Sequence, residues 1–288
     1  MKNACLALLS GCVLLGACSG EPTGLYEVAP LVIAHRGASY LAPEHTVAAY
    51  DRAVEQGADY IEQDIARTAD GVLVVIHDAT LERTARGPAT DCTGAVVDKT
   101  LEQLRRCDFG SWFNERFPDR ANSSYAGLKI LTLQEVITRY RDKVGLYVEI
   151  KNPELYPGIE AELAVLLRSS GFVFDGGGRP PVFVQSFSAE SLKRLHTIEE
   201  DIPLVQLVPV GLTVTPALMA DIATYAETIA PAFQSTVPSF LTMARAQGLA
   251  VHVYAVEGTG AVSGLLRARV EGLIVDRPDM VRDIIFLK

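Results

Sequence analysis

Nine short runs rich in β-branched and aromatic residues recur along the chain, at 31–35, 60–65, 72–77, 146–151, 182–187, 204–208, 228–231, 249–254 and 273–275. Between most of them lie amphipathic segments opened by helix-start signals, such as Thr132 ahead of Leu133, Ser188 ahead of Ala189, and Thr236 ahead of the run to Leu241. Short strand-like runs alternating with helices predict repeated βα units and a parallel sheet. The run at 72–77 departs from that rhythm. Only six residues separate Ile65 from Val72, whereas a parallel crossover needs about ten or more, and Asp70-Gly71 is turn chemistry. The two runs therefore predict a hairpin that returns His77 beside Glu62 and Asp64. With that hairpin above the rim, eight parallel strands remain, the count of a (β/α)8 TIM barrel. The stretch 80–129, rich in Gly, Asp and aromatic residues, exceeds an ordinary βα connection and predicts a small insertion over the mouth.

The amino terminus has a different character. Lys2 is the only charge before an apolar run from Ala4 to Ala17, too short for a bilayer span of about 20 residues and patterned as a secretory signal. Leu15-Gly16-Ala17-Cys18 resembles the lipobox of bacterial lipoproteins. Residues 1–17 are thus expected to be removed, Cys18 to carry the lipid, 18–29 to form a tether and 30–288 the folded domain. That predicts an exported, membrane-anchored protein facing the periplasm or the cell exterior. Of five cysteines, this processing leaves Cys92 and Cys107, an even pair that an oxidising compartment favours as a disulfide. The net charge of −9, without a basic run, argues against nucleic acid as a partner. A composition that is 49% hydrophobic and 21% charged argues against disorder.

In such barrels, functional groups stand at the carboxyl ends of strands. Here those ends are polar: His35-Arg36-Gly37, Glu62-Gln63-Asp64, His77-Asp78 and Glu149-Ile150-Lys151. Residues two apart on a strand share a face, so Glu62 and Asp64 project together, as do Glu149 and Lys151. Three converging carboxylates repel one another, and a hard divalent cation with oxygen ligands relieves that repulsion. A salt-bridge layer with Arg36 and Lys151 is the plainer alternative, disfavoured by two histidines on the same rim. His35 and His77 can serve as base and acid in turn. His45, His196 and His252 read as packed core or surface residues. Arg36 offers a planar fork for phosphate oxygens, compatible with an ion pair to Glu44.

These residues, with Pro43-Glu44-His45-Thr46, Arg83-Thr84, Gln185-Ser186-Phe187 and Asp276-Arg277-Pro278-Asp279, follow one another in an order that resembles the glycerophosphodiester phosphodiesterase family from about residue 31 to 284. The resemblance implies a TIM barrel with an insertion, and one divalent cation, Ca2+ or Mg2+, held by Glu62, Asp64 and Glu149. It further implies His35 and His77 as the acid/base pair, with Arg36 and Lys151 on the phosphate. The substrate would be a glycerophosphodiester, cleaved to glycerol 3-phosphate and an alcohol. Trp112, in a Gly-x-Trp-Phe string, would cover the glycerol, and Phe187 and Tyr254 would line the substrate site. The chain departs from the family at His45, where Asn is usual, and at Tyr254-Ala255-Val256-Glu257, where Trp-Thr-x-Asn is usual. Both departures bear on substrate choice rather than reaction type. Two alternatives are a lysophospholipid-directed phosphodiesterase on the same barrel and a lipid-anchored solute-binding protein. The latter calls for two lobes and a hinge and has no need of paired histidines.

Overall fold

The computed structural model describes residues 29–172 and 178–286; the signal, Cys18 and nearly all of the tether lie outside them. Nine strands form: β1 (Leu31–Ala34), β2 (Tyr60–Arg67), β3 (Leu73–Val75), β4 (Gly145–Ile150), β5 (Val182–Ser186), β6 (Leu204–Val208), β7 (Thr228–Pro231), β8 (Ala250–Val253) and β9 (Gly272–Val275). Neighbours run β1-β9-β8-β7-β6-β5-β4-β2, and β1 also pairs with β2, so eight parallel strands close on themselves. β3 stands outside the ring as the antiparallel partner of β2, with Ile65 opposite Val75 and Arg67 opposite Leu73. This is the expected barrel and hairpin, a single closed ring rather than two lobes.

The barrel interior is plugged by Ile33, Tyr60, Tyr147, Phe183, Val205, Leu207, Ala230 and Ile274. Two glycines make room for the larger of these rings and for His252. A Cβ on Gly145 would meet the Tyr60 ring at 2.3 Å, and one on Gly272 would meet the His252 ring at 2.5 Å. Outside the ring, helices bury one stripe each. The helix Leu133–Tyr140 is opened by a capping box between Thr132 and Glu135 and buries Leu133, Val136, Ile137 and Tyr140, a 3.6-residue spacing. Each such aliphatic side chain contributes about 1.5–3 kcal/mol by burial, and the cap about 1 kcal/mol. Ser188 likewise caps Ala189–Ile198. Thr236 does not act as a cap. The helix Pro238–Ala246 begins at a proline preset for its first turn, with Val237 at the N-cap, and the Thr236 hydroxyl donates to the Ala232 carbonyl.

The insertion contains short helices at Ala89–Cys92, Leu101–Arg105 and Ser111–Arg116, and Cys92 is bonded to Cys107. It has no core of its own. Cys92, Val96, Leu104, Cys107 and Phe109 join the main core, while Trp112, Phe113 and Tyr125 pack on Ala42 and Ala49 beside the end of β1. The insertion is thereby seated over the mouth next to the first two strands.

Candidate active site

β2 and β4 place Asp64 directly opposite Glu149 in the ladder, with Glu62 one pleat below. All three carboxylates are buried. Arg36 follows β1 with a left-handed backbone, φ 56°, a conformation costly for a residue bearing a Cβ. In that conformation its N–H donates to Glu62 Oε2 at 2.8 Å. Its guanidinium lies 3.3 Å from Glu44 and 3.5 Å from Asp64. Lys151 Nζ lies 3.2 Å from Glu149 and 3.4 Å from Asp64. Two cations thus face three carboxylates, and one of those cations is shared with Glu44. Burial, with Asp64 and Glu149 nearby, raises the Glu62 carboxyl well above the ordinary range. Burial and Asp64 likewise push Glu149 up to about 8. Burial also opposes ionisation of Asp64, but the His45 hydrogen bond, Lys151 and Arg36 outweigh it and hold Asp64 well below the usual range.

The two histidines expected at the rim each carry a carboxylate on Nδ1. His35 meets Asp276 at 2.7 Å, and His77 meets Asp78 at 2.5 Å. Such a contact fixes the tautomer and leaves Nε2 for chemistry. The hairpin delivers His77 because the Ile76 N–H donates to the Asp64 carbonyl. Burial lowers His77 to about 4, against the opposing pull of Asp64. Asp78 continues into a chain of charges: Arg83 donates to Asp78 and, through both terminal nitrogens, to Glu44, which returns to Arg36. Asp276, Asp78 and Arg83 stand inside the sequence motifs; Asp276 lies 241 residues from His35 and leaves no local signal, whereas Asp78 directly follows His77 and Arg83 comes five residues later, a spacing that could have suggested the pairing.

His45 is not a bystander. It is buried in a left-handed conformation, φ 58°, with Nε2 2.9 Å from Asp64 and Nδ1 2.9 Å from the Tyr50 hydroxyl. Burial lowers its pKa, against the opposing pull of Asp64. Donor atoms of His45, Glu62 and Asp64 all lie within 4.8 Å of one another, a candidate metal group in which His45 stands where Glu149 was expected. Glu149 flanks that group from β4. His252 does sit in the core, bonded to the Tyr147 hydroxyl, and His196 lies on the helix Ala189–Ile198.

Two cavities flank the carboxylates. One, of about 520 Å³, is lined by His35, Arg36, Arg83, Arg86, Trp112 and Arg116 among others. The other, of about 410 Å³, runs from Glu149 and Lys151 to Phe187. Phe187 meets Tyr254 edge-on at 5.8 Å. Trp112 and Phe187 therefore belong to opposite sides of the mouth. Glu257 is exposed and lines neither cavity.

Residues 35–280 match the glycerophosphoryl diester phosphodiesterase family. The chain belongs to this family. It is accordingly a phosphoric diester hydrolase. A glycerophosphodiester phosphodiesterase of Bacillus subtilis (strain 168) is 37% identical over 88% of this chain and 86% of its own. A solved glycerophosphodiester phosphodiesterase from Agrobacterium tumefaciens superposes with a TM-score of 0.72 at 32% identity, covering 88% of this chain and all of the other. A phosphodiesterase from Oleispira antarctica, solved with sn-glycerol-3-phosphate, shares the fold with a TM-score of 0.76 at 24% identity, over 89% and 97% of the two chains.

Proposed function

We propose that the protein is an exported lipoprotein that cleaves glycerophosphodiesters to glycerol 3-phosphate and an alcohol, using one divalent cation, Ca2+ or Mg2+. The product named for the Oleispira antarctica enzyme supports this reading. The observation that carries it is the pair of carboxylate-backed histidines, His35 with Asp276 and His77 with Asp78, beside three buried carboxylates. The donor set suits a hard cation, since burial together with the neighbouring carboxylates raises two of the three. Gln185, 3.4 Å from Glu62, also has a buried Oε1 without a partner among the described residues. Glu62, Asp64 and Glu149 would hold the cation, with His45 keeping Asp64 ionised and oriented.

When bound, such a cation supplies Lewis-acid stabilisation of charge on the phosphoryl oxygens. Arg36 and Lys151 bind those oxygens electrostatically. The glycerol 2-hydroxyl attacks phosphorus, one histidine takes its proton, and the other protonates the departing alcohol. Water then opens the cyclic phosphate with the histidine roles exchanged. A coupled assay for released glycerol 3-phosphate, with and without EDTA, tests this reading. Turnover of glycerophosphocholine that chelation abolishes and Ca2+ or Mg2+ restores is expected; undiminished turnover after chelation contradicts it. No helix among the described residues is long and apolar enough to cross a membrane. Lipid attached at Cys18 is the proposed anchor, and mass spectrometry of the mature amino terminus decides it. An intact Met1, or cleavage without lipid, removes the claim.

A further inference from the structure

The 520 Å³ cavity beside the end of β1 is lined by four arginines and three acids. Three of the arginines are already committed. Arg36 and Arg83 share Glu44, at 3.3 and 2.7 Å, and Arg83 also holds Asp78 at 2.6 Å. Arg86 lies 2.8 Å from Glu115 and donates to three backbone carbonyls. Asp276, the third acid, faces His35. Arg116 is left over. It is exposed, its guanidinium lies 5.5 Å from the Phe117 ring centroid, and it has no carboxylate partner among the described residues. The helix Ser111–Arg116 sets Trp112 and Arg116 four residues apart, on one face, and both line the cavity together with His35 and Arg36. The surplus positive charge therefore stands in the same space as groups assigned to the reaction. It is also local, since residues 80–129 hold eight basic and seven acidic side chains in a chain with 26 and 35.

An unpaired arginine on an open surface needs no explanation. One that lines a cavity whose other charges are matched offers a planar fork to an anion. The scissile phosphate already has Arg36 and Lys151, and the glycerol is uncharged, so a second anionic group of a substrate can belong only to its alcohol. We infer that Arg116 recognises an anionic group, a carboxylate or a phosphate, on the departing alcohol, and so makes the site favour glycerophosphodiesters of acidic alcohols. The inference rests on the phosphodiesterase reading above. The alcohol, rather than the glycerol, then lies beside Trp112. A cationic alcohol fits this cavity less well. It meets Arg116 as a like charge, and the Trp112 ring, which could otherwise attract a quaternary ammonium, already has the Arg83 guanidinium 5.6 Å from its centroid.

The test uses near-isosteric diesters whose alcohols are 3-hydroxypropionate and its uncharged amide, with the 2-phosphoethyl ester as a second anion, each followed by release of glycerol 3-phosphate. In a half-open cavity one charge-assisted contact should favour an anionic diester over the amide by about tenfold in kcat/KM. The difference should lie in KM, because the charge is remote from phosphorus, and it should shrink as salt rises from about 50 to 500 mM. Whichever anion is favoured more names the group recognised. In Arg116→Gln the ratio of anionic diester to amide should fall to about one. Arg106→Gln, an exposed arginine of the insertion that does not line the cavity, should keep the parent's ratio. A parent that turns over the acids and the amide equally overturns the inference and leaves the phosphodiesterase reading standing. So does a preference that survives Arg116→Gln, or one that Arg106→Gln lowers as much, which would assign it to the general field of the insertion. Inactivity toward every diester overturns both.

Discussion

Replacing Asp276 by Asn keeps the shape of the side chain and removes its charge. The carboxylate lies 2.7 Å from His35 Nδ1, a charge-assisted contact whenever the ring is protonated during turnover. Hydrogen bonds to charged groups are worth about 1.5–3 kcal/mol, and each ~1.4 kcal/mol of barrier is tenfold in rate. Asp276→Asn should therefore lower kcat on glycerophosphocholine by about 10- to 150-fold. KM should stay within about twofold, because Asp276 acts through His35. The pair is partly open to solvent, with side chains 32% and 46% exposed, so its share of folding stability is about 0–1 kcal/mol. The melting temperature should move by no more than about 4 °C. The deciding arm is a double-mutant cycle. Once His35 is Ala, adding Asp276→Asn should cost almost nothing further. A kcat within twofold of the parent would refute the reasoning, as would an equal loss with and without His35.

Three further outcomes follow from other parts of the molecule. Glu62→Gln should weaken cation binding, so its activity should recover in part at high Ca2+ or Mg2+; a deficit unmoved by cation concentration would remove Glu62 from the ligand set. Peptide mapping under non-reducing conditions should recover Cys92 joined to Cys107, and the Cys92→Ser/Cys107→Ser variant should lose about 3 kcal/mol, the chain-entropy value for a loop of this length; two freely alkylated thiols in native protein would contradict the bond. Despite burial, Arg83 and Arg36 hold Glu44 down to about 2 from the ordinary 4.5. A depressed carboxylate stabilises the fold above its unfolded pKa, and that stabilisation is lost as pH falls toward the folded value. The stability gap between the parent and Glu44→Gln should be about 3 kcal/mol at neutral pH and narrow between about pH 4.5 and 2. A gap independent of pH across that window would show that the Glu44 charge does not stabilise the fold.

The barrel was legible because each strand is a short buried run and each helix an amphipathic one, and the six residues between Ile65 and Val72 forced the hairpin. The charged strand ends were legible for the same reason, since Glu62, Asp64 and Glu149 each follow apolar strand residues. What sequence could not supply was pairing at a distance. Asp276 reaches His35 only because β9 closes against β1. His45 reads as a packed core or surface residue until its left-handed backbone turns the ring onto Asp64. The exposed apolar side chains on one rim were equally hidden: Leu155, Val210 with Leu212, and Phe233 lie in three separate loops that share one end of the barrel only once the ring has closed. Thr236 was misleading because threonine before a helical run is a common cap, whereas here Pro238 sets the start.

The central claim is that His35 and His77 divide the work of acid and base around a cation held by the carboxylates. The most direct measurement compares His35→Ala and His77→Ala on glycerophosphocholine and on a glycerophosphodiester whose leaving group is p-nitrophenol. Both variants should bind Ca2+ and the natural diester yet lose about 10²-fold or more in rate. The acidic leaving group should rescue selectively the variant that lacks the histidine protonating the departing alcohol, and leave the other slow. Equal rescue of both would contradict the division of roles, and a near-normal rate for either on glycerophosphocholine would contradict the mechanism itself.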